Sequence, residues 1–285
     1  MSSAVESKRK TNMGFSKVRT IAVTSGKGGV GKTNIAVNLA MLFRRYKKKV
    51  LLVDLDLGLA NVDILLGLHP EYTLQDVIEG RKQLKDIILH GPDGIKFVPA
   101  SSGIEDLTSL NEEQKELLFK GFGDLDEDLD IVIVDTGAGI SSNVLSFVLA
   151  SNEILLVTTP EPTAMTDAYA MIKALSRRKK DLNIKLLVNL SCSREEAELT
   201  VKKITSVTRR FLDVDVQYLG YLLHDPNIPI AARLRKSFVK EYPNTNATSC
   251  LNNMAASFLN NDDGTHTMGV ADYFRGIANK IQTDQ

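Results

Sequence analysis

The sequence predicts an α/β fold with a mostly parallel central sheet flanked by helices on both faces. Seven short apolar blocks recur, at 20–24, 50–54, 95–98, 130–135, 153–158, 184–189 and 216–222, and several are continuously apolar rather than alternating. Strands covered by helices on both sides read this way. Helical patterns separate the blocks: "NIAVNLAMLFRRYK" aligns Ile35, Leu39, Leu42 and Phe43, and "TDAYAMIKALSRRKK" aligns Ala168, Met171, Ile172 and Leu175, each as one apolar stripe. Strand, helix, strand at this spacing builds a parallel sheet by crossover connections. A chain of 285 residues can hold this as one large domain with a sizeable core.

Composition narrows the function classes. Lys plus Arg equals Asp plus Glu at 35 each, so no overall positive field holds the whole molecule on a nucleic acid or membrane. Two cysteines, Cys192 and Cys250, exclude a disulfide scaffold or a cysteine-based metal site and fit a reducing compartment. No apolar run has the length of a membrane span, and "MSSAVESKRKTNMGFSK" has no hydrophobic core for secretion, so a cytoplasmic protein is expected.

In chain order, residues 1–18 read as a flexible basic leader, its charges being Lys8, Arg9, Lys10, Lys17 and, just beyond, Arg19 against Glu6. The body runs from 19 to 260. Residues 261–285 read as a polar linker followed by a C-terminal amphipathic helix, "MGVADYFRGIANKI". No internal repeat is present.

The chemistry begins after the first strand. "GKGGVGKT", residues 26–33, fits G-x-x-x-x-G-K-[ST] with Gly26, Gly31, Lys32 and Thr33. Such glycines let backbone N–H groups turn around phosphate oxygens while the next helix presents its positive end. The expected fold is therefore a P-loop NTPase, with Gly26, Lys27, Gly28, Gly29, Val30, Gly31, Lys32, Thr33 and Asn34 as the nucleotide cradle. Lys32 is expected on the β and γ phosphates and Thr33 on Mg²⁺. Lys27 has no role in an ordinary loop of this type: it either points to solvent or delivers charge to a nucleotide, including one held by a second copy.

Carboxylates follow later strands. Asp54 and Asp56 close "VLLVDLD" at i and i+2, on one side of an extended segment, so one can serve the metal and its waters and the other the attacking water. "DIVIVDTGAG" ends an apolar strand in Asp135 and then Gly137 and Gly139, the Walker B arrangement, with Asp135 on a metal-bound water and a loop able to respond to the γ phosphate. His69, His90, His224 and His266 show no ligand spacing.

"KGGVGKT" at 27–33 resembles the deviant Walker A motif of the MinD/ParA ATPases. The resemblance implies ATP with Mg²⁺ as the bound pair and a homodimer formed around ATP, with Lys27 reaching the partner's nucleotide. It also implies that Asp56 arranges the attacking water, that Asp54 lies close to Mg²⁺ and that Asn189, after "IKLLV", contacts the adenine. Asp225 in "LLHDPNIP" falls where such proteins close over the base. Asn61 and Asp63 fall in the switch region of the dimer face or act as turn formers.

Further stretches, "DLDLGLANVDILLGL", "TLQDVIEG", "GPDGIKFVPASSG", "TTPEPTAMTDAYAMIKAL" and "TRRFLDVDVQYLG", resemble the FlhG/FleN group of this family over about residues 18–255. That likeness implies slow, dimer- or partner-stimulated ATPase control of the number and placement of bacterial flagella. Its implied partners are the flagellar GTPase FlhF, the flagellar master transcription activator or switch-complex proteins. The D-Q-A-x-x-L-R segment by which some members stimulate the GTPase has no counterpart in residues 1–15, so that contact is either absent or made by other residues.

In the tail, Met268, Val270, Ala271, Phe274, Ile277 and Ile281 share one face. Such a helix can enter a membrane interface weakly and reversibly, more firmly as a pair on a dimer, or dock on its own domain; Val270, Phe274, Ile277 and Ile281 are the residues expected to do so. Membrane contact would place the ATP-bound protein peripherally on the inner face of the cell membrane. A DNA-partitioning ATPase is the rival within the fold, but the basic groups at 177–180, 202–203, 209–210 and 233–236 are scattered as solvated helix faces usually are, and direct DNA binding is disfavoured. A nucleotide-gated adaptor with negligible turnover would carry the same site.

Overall fold

A computed structural model describes residues 18–56, 61–99, 110–125, 128–260 and 269–281, with the side chains of 278–281 outside the description. The first half contains β1 (Arg19–Ser25), α1 (Lys32–Arg45), β2 (Val50–Leu55), α2 (Val62–Leu66), α3 (Leu74–Ile78), α4 (Leu84–Ile87), β3 (Leu89–His90), β4 (Lys96–Val98), α5 (Glu112–Gly123) and β5 (Ile131–Ala138). The second half contains α6 (Ser142–Ala150), β6 (Glu153–Thr158), α7 (Pro162–Ser176), β7 (Ile184–Ser191), α8 (Arg194–Leu212), β8 (Val216–Leu223), α9 (Asn227–Arg233), α10 (Phe238–Glu241), α11 (Asn246–Asn260) and α12 (Val270–Ile281).

One eight-stranded sheet runs in the order β3-β4-β2-β5-β1-β6-β7-β8, parallel throughout except for β3 on β4. All seven strands expected from the apolar blocks are present. The two-residue edge strand β3 was not expected, because Leu89 and His90 carry no run long enough to register.

Because neighbours on a strand face opposite sides, the apolar blocks feed separate cores. Ile21, Val23, Leu52, Ile133 and Leu155 meet α1 and α11 on one face. On the other, Leu51, Val53, Val132 and Val134 meet α3, α5 and α12, and Ala22, Ile154, Leu156 and Leu186 meet α6, α7 and α8. Polar starts are fixed by capping: Ser193 accepts from Glu196 N at 3.2 Å, and Asn111 and Gln114 form a reciprocal box.

Arg19 departs from the leader reading. It opens β1 with 3% exposure, pairs with Glu153, and donates to the Phe258 carbonyl at 2.5 Å. Lys185 of β7 pairs with the same Glu153, and both cations lie over the Phe258 ring. A charge count assigns Arg19 to its basic neighbours; adjacency of β1, β6 and β7 assigns it to the sheet.

The C-terminal helix docks on its own domain. Val270, Tyr273, Phe274 and Ile277 are buried, Phe274 stacks on Phe122 at 3.8 Å between centroids, and Tyr273 Oη donates to the Phe147 carbonyl at 3.0 Å. Tyr273 was not counted on the apolar face, yet its ring is fully enclosed. The Ile281 side chain, the leader 1–17 and the linker 261–268 fall outside the described residues.

Candidate functional site: a phosphate cradle with a lysine turned aside

β1 is central, and the loops at the C-terminal ends of β1, β2 and β5 converge there, the usual ligand position of an open parallel sheet. Gly29 and Gly31 hold φ of +77° and +94°, values that favour glycine. Gly26 is required by contact: a Cβ there would overlap the Asp167 backbone of α7. Ser25 Oγ donates to the Lys27 carbonyl at 2.6 Å, and Gly139 N donates to the Ser25 carbonyl at 2.9 Å, tying the loop after β5 to the start of the cradle.

α1 starts from Gly31 with no side-chain cap and no acid in its first turn. Its N–H groups and positive end are thereby left for an anion. A cavity of about 560 Å³ opens there, lined by Gly28, Gly29, Gly31, Lys32, Thr33 and Asn34 from the loop, Asp56 from the end of β2, and Asn61 and Leu65 beyond it. Val30, also in the loop, is buried in the core. Asp63 donates nothing to the cavity lining; its Oδ1 accepts from Ile64 N at 2.8 Å.

Asp54 and Asp135 are register partners on β2 and β5, each 1% exposed. Burial pushes the Asp54 carboxyl up to about 7, against hydrogen bonds from Asp56 N at 2.9 Å and, more weakly, from Asn61 N and Val62 N. Asp54 therefore anchors the entry to α2. Burial, with the Asp54 charge second, pushes Asp135 up to about 8. The Thr33 hydroxyl and Lys32 act in the opposite sense, but neither Asp135 oxygen completes a hydrogen bond of regular geometry within the protein. Lys32 is 7% exposed and burial lowers its pKa, with Asp135 and then Asp56 raising it.

An orphaned buried carboxylate beside a threonine hydroxyl fits a hard cation that takes its remaining oxygens from phosphate and water. Among the described residues no group of three His, Cys, Asp or Glu forms a protein-only metal site. Thr33, Asp54 and Asp135 are the residues that would hold Mg²⁺ there.

Lys27 is not in this cavity. Its Nζ donates to Glu161 Oε2 at 2.7 Å and to Thr163 Oγ1 at 2.9 Å, at the start of α7. These partners were missed in the sequence. No spacing along the chain carries this contact: Glu161 and Thr163 follow β6 and reach Lys27 only because β6 pairs with β1.

Asn189 lies two residues before the end of β7, at the cradle. Its Nδ2 donates to the Val30 carbonyl at 2.8 Å, it packs where a Cβ on Gly31 would stand 2.5 Å away, and its buried Oδ1 has no partner. Asp225 Oδ1 accepts from Asn227 N and Nδ2, both at 2.9 Å, the behaviour of a turn former. Val270, Phe274 and Ile277 are on α12, against α5 and α6, and take no part in the cavity.

A glycine loop between the central strand and a helix, a buried lysine, a helix-start threonine and strand-end aspartates define a P-loop ATPase. A family model described as an AAA domain matches residues 18–188. The antiactivator FleN of Pseudomonas aeruginosa is 46% identical over 231 residues, 81% of this chain and 82% of that protein. The flagellum site-determining protein YlxH of Helicobacter pylori is 36% identical over 79% of this chain and 76% of its own length. Among solved structures, the MinC:MinD cell division protein complex of Aquifex aeolicus superposes with a TM-score of 0.70 at 26% identity, covering 85% of this chain and 96% of that one. The chain belongs to the MinD/ParA family of deviant Walker A ATPases, in its FlhG/FleN branch. It is an ATP-hydrolysing enzyme that works with ATP and Mg²⁺.

Proposed function

We propose that this chain is an ATP-driven dimerisation switch acting in the regulation of flagellar number and placement. The observation that carries the reading is the position of Lys27. The loop's second lysine lies outside its own cavity, 34% exposed and held by Glu161, so that cavity is lined by Lys32, Thr33 and Asp56 but lacks the second lysine's charge. A second copy facing it can supply the charge.

Within each site, loop N–H groups and Lys32 bind the phosphates. Mg²⁺ would neutralise charge on the β and γ oxygens, held by Thr33 and, through water, Asp54 and Asp135. Asp56 orients water in line with the γ phosphorus. A P–O bond forms from the water oxygen as the bond to the β–γ bridging oxygen breaks; ADP carries away that electron pair, and the water's protons leave with the inorganic phosphate and the solvent. Lys27 from the opposite copy stabilises the equatorial oxygens. Asn189 Oδ1 accepts from the adenine amino group, while Asp225 shapes the loop beside the base.

FleN and YlxH are named for antiactivation and flagellum site determination, and these names support flagellar targets for the ATP-bound dimer. We assign it FlhF, the flagellar master transcription activator and switch-complex proteins as candidate partners, with weak reversible membrane contact through α12. No described helix is long and apolar enough to cross a membrane.

Light scattering with ADP and then ATP and Mg²⁺ tests the switch. Wild type should double in mass with ATP and return as it is hydrolysed, and Asp56→Ala should remain a dimer. A constant mass would overturn the dimer reading.

A further inference from the structure

We infer that a second cavity, at the C-terminal end of α9, is an effector site for a small organic phosphate whose binding tightens the hold on nucleotide. Its volume is about 270 Å³, against about 560 Å³ for the nucleotide cavity. Leu65 and Leu66 of α2 and Pro92 form an apolar wall, and Arg235, Lys236 and Lys240 form a cationic one. Leu65 also lines the nucleotide cavity, so α2 is a partition shared by the two.

Arg235 carries the assignment. Its N–H donates to the Ala232 carbonyl and the Lys236 N–H donates to the Ala231 carbonyl, both at 3.0 Å, the paired bonds of a helix ending whose left-handed residue is usually glycine. Arg235 holds that place at φ +55°, and backbone strain accepted at a non-glycine residue points to work done by its side chain. The guanidinium makes no ion pair among the described residues. Lys236 pairs with Glu241 at 3.0 Å, Glu241 also lining the cavity, and Lys240 pairs with Asp93 at 2.8 Å. Both lysines are more than half exposed, so these pairs are weak and an incoming anion can replace them. An arginine fork beside two ammonium groups matches the terminal oxygens of a phosphate monoester, and the leucines and proline receive a small apolar body.

A chain of hydrogen bonds joins this cavity to the cradle. Ser237 Oγ donates to Asn38 Oδ1 at 2.7 Å, Val239 N donates to the same oxygen at 3.1 Å, and Asn38 Nδ2 donates to the Asn34 carbonyl at 2.7 Å. Asn34 lines the nucleotide cavity. An anion that fixes residues 235–240 therefore fixes the first turn of α1 and lowers the ordering that a nucleotide must impose. Such coupling is reciprocal, so nucleotide should tighten the anion by the same factor. The inference needs nucleotide binding but not dimerisation, and ADP is used to keep the two apart.

The test uses the full chain, with phenyl phosphate as probe and benzoate as its carboxylate counterpart, followed by calorimetry and amide chemical-shift mapping with and without ADP and Mg²⁺. Phenyl phosphate should shift amides at 234–241 and in α2 and lower the ADP dissociation constant by about threefold or more. Arg235→Gly should weaken phenyl phosphate by about tenfold or more while melting no lower than wild type, a combination that a purely structural arginine would not give. Arg235→Asn, which tolerates left-handed backbone and carries no charge, repeats the measurement should glycine loosen the helix end. A phosphate can also enter the cradle, so Lys32→Ala serves as control and should keep the shifts at 234–241.

Three results would overturn the inference: no binding of phenyl phosphate, binding lost in Lys32→Ala but kept in Arg235→Gly, or an ADP constant that the probe leaves unchanged or raises. Benzoate binding as tightly as phenyl phosphate would overturn the assignment to phosphate.

Discussion

Lys27 Nζ lies 2.7 Å from Glu161 Oε2 within the same chain, so the lysine expected to serve a neighbouring nucleotide is occupied before any neighbour arrives. With the two side chains 34% and 59% exposed, solvent screening limits the pair to about 0.2–1 kcal/mol. That is small for stability but sufficient to shift an association constant. Glu161→Gln should leave thermal stability nearly unchanged and tighten the ATP dimer by about twofold to thirtyfold, since each copy releases one such contact and the dimer holds two. Lys27→Ala should abolish ATP-dependent dimerisation. Sedimentation equilibrium across protein concentrations reads both, and an unchanged dimer constant in Glu161→Gln would show that the contact does not compete with assembly.

The raised pKa values give a pH dependence of definite sign. Asp135 and Asp54 titrate near 8 and 7 in the fold but near the ordinary carboxylate value when unfolded. The folded state thus binds more protons between those limits, and stability falls as pH rises from about 4 to about 8. Below the unfolded value both states are protonated and the effect vanishes. Nucleotide-free Asp135→Asn should melt higher than wild type at pH 8, by about 2 °C or more, with the difference shrinking toward pH 5. Thermal scans at the two pH values check this. With ATP and Mg²⁺ the order should reverse, because an asparagine offers no charge to the cation.

Much of this site was legible because its residues follow strands in a fixed local grammar. Residues 26–33, Asp54, Asp56 and Asp135 converge once the apolar blocks are parallel neighbours. Glu161 and Thr163 were not legible as Lys27's partners, since that contact depends on β6 lying beside β1 and not on any spacing along the chain. Arg19 was misleading for the same reason: its partner is 134 residues away. The docking of α12 also depends on distant α5 and α6, and periodicity alone says that a face is apolar without saying what covers it.

Under the proposed function, Asn189 has two duties that substitution can separate. Its Nδ2 supports the Val30 carbonyl and its Oδ1 is unpaired. Asn189→Asp keeps an acceptor but loses the donor, so it should weaken all nucleotides alike through the loop. Asn189→Ala should also lower the preference for ATP over GTP, by about tenfold if one buried hydrogen bond discriminates the bases. Competition binding with both nucleotides gives the ratio, and a ratio unchanged in Asn189→Ala would remove Asn189 from base recognition.

Glu153 sits between two buried cations, Arg19 and Lys185, and those partners hold its carboxyl below the usual range despite burial. Removing it leaves two positive charges enclosed under Phe258. Glu153→Ala should cost about 3–5 kcal/mol, read as a shift in urea midpoint without a change in the nucleotide cavity at the other end of the sheet.

The docked α12 sets a measurable condition on any membrane role. The Phe274 ring is 3% exposed and stacked on Phe122, and the Tyr273 hydroxyl is spent on the Phe147 carbonyl; the face that would enter lipid is therefore covered by α5 and α6. Phe274→Ala removes an enclosed ring worth about 3–5 kcal/mol to its packing, so it should release the helix locally before it unfolds the sheet. Amide exchange at 270–277 should accelerate strongly while β1 and β5 remain protected. Vesicle binding by wild type should appear only in the state where those amides also exchange. If wild type binds vesicles while 270–277 stay protected, the contact is made by another surface and α12 is a structural helix.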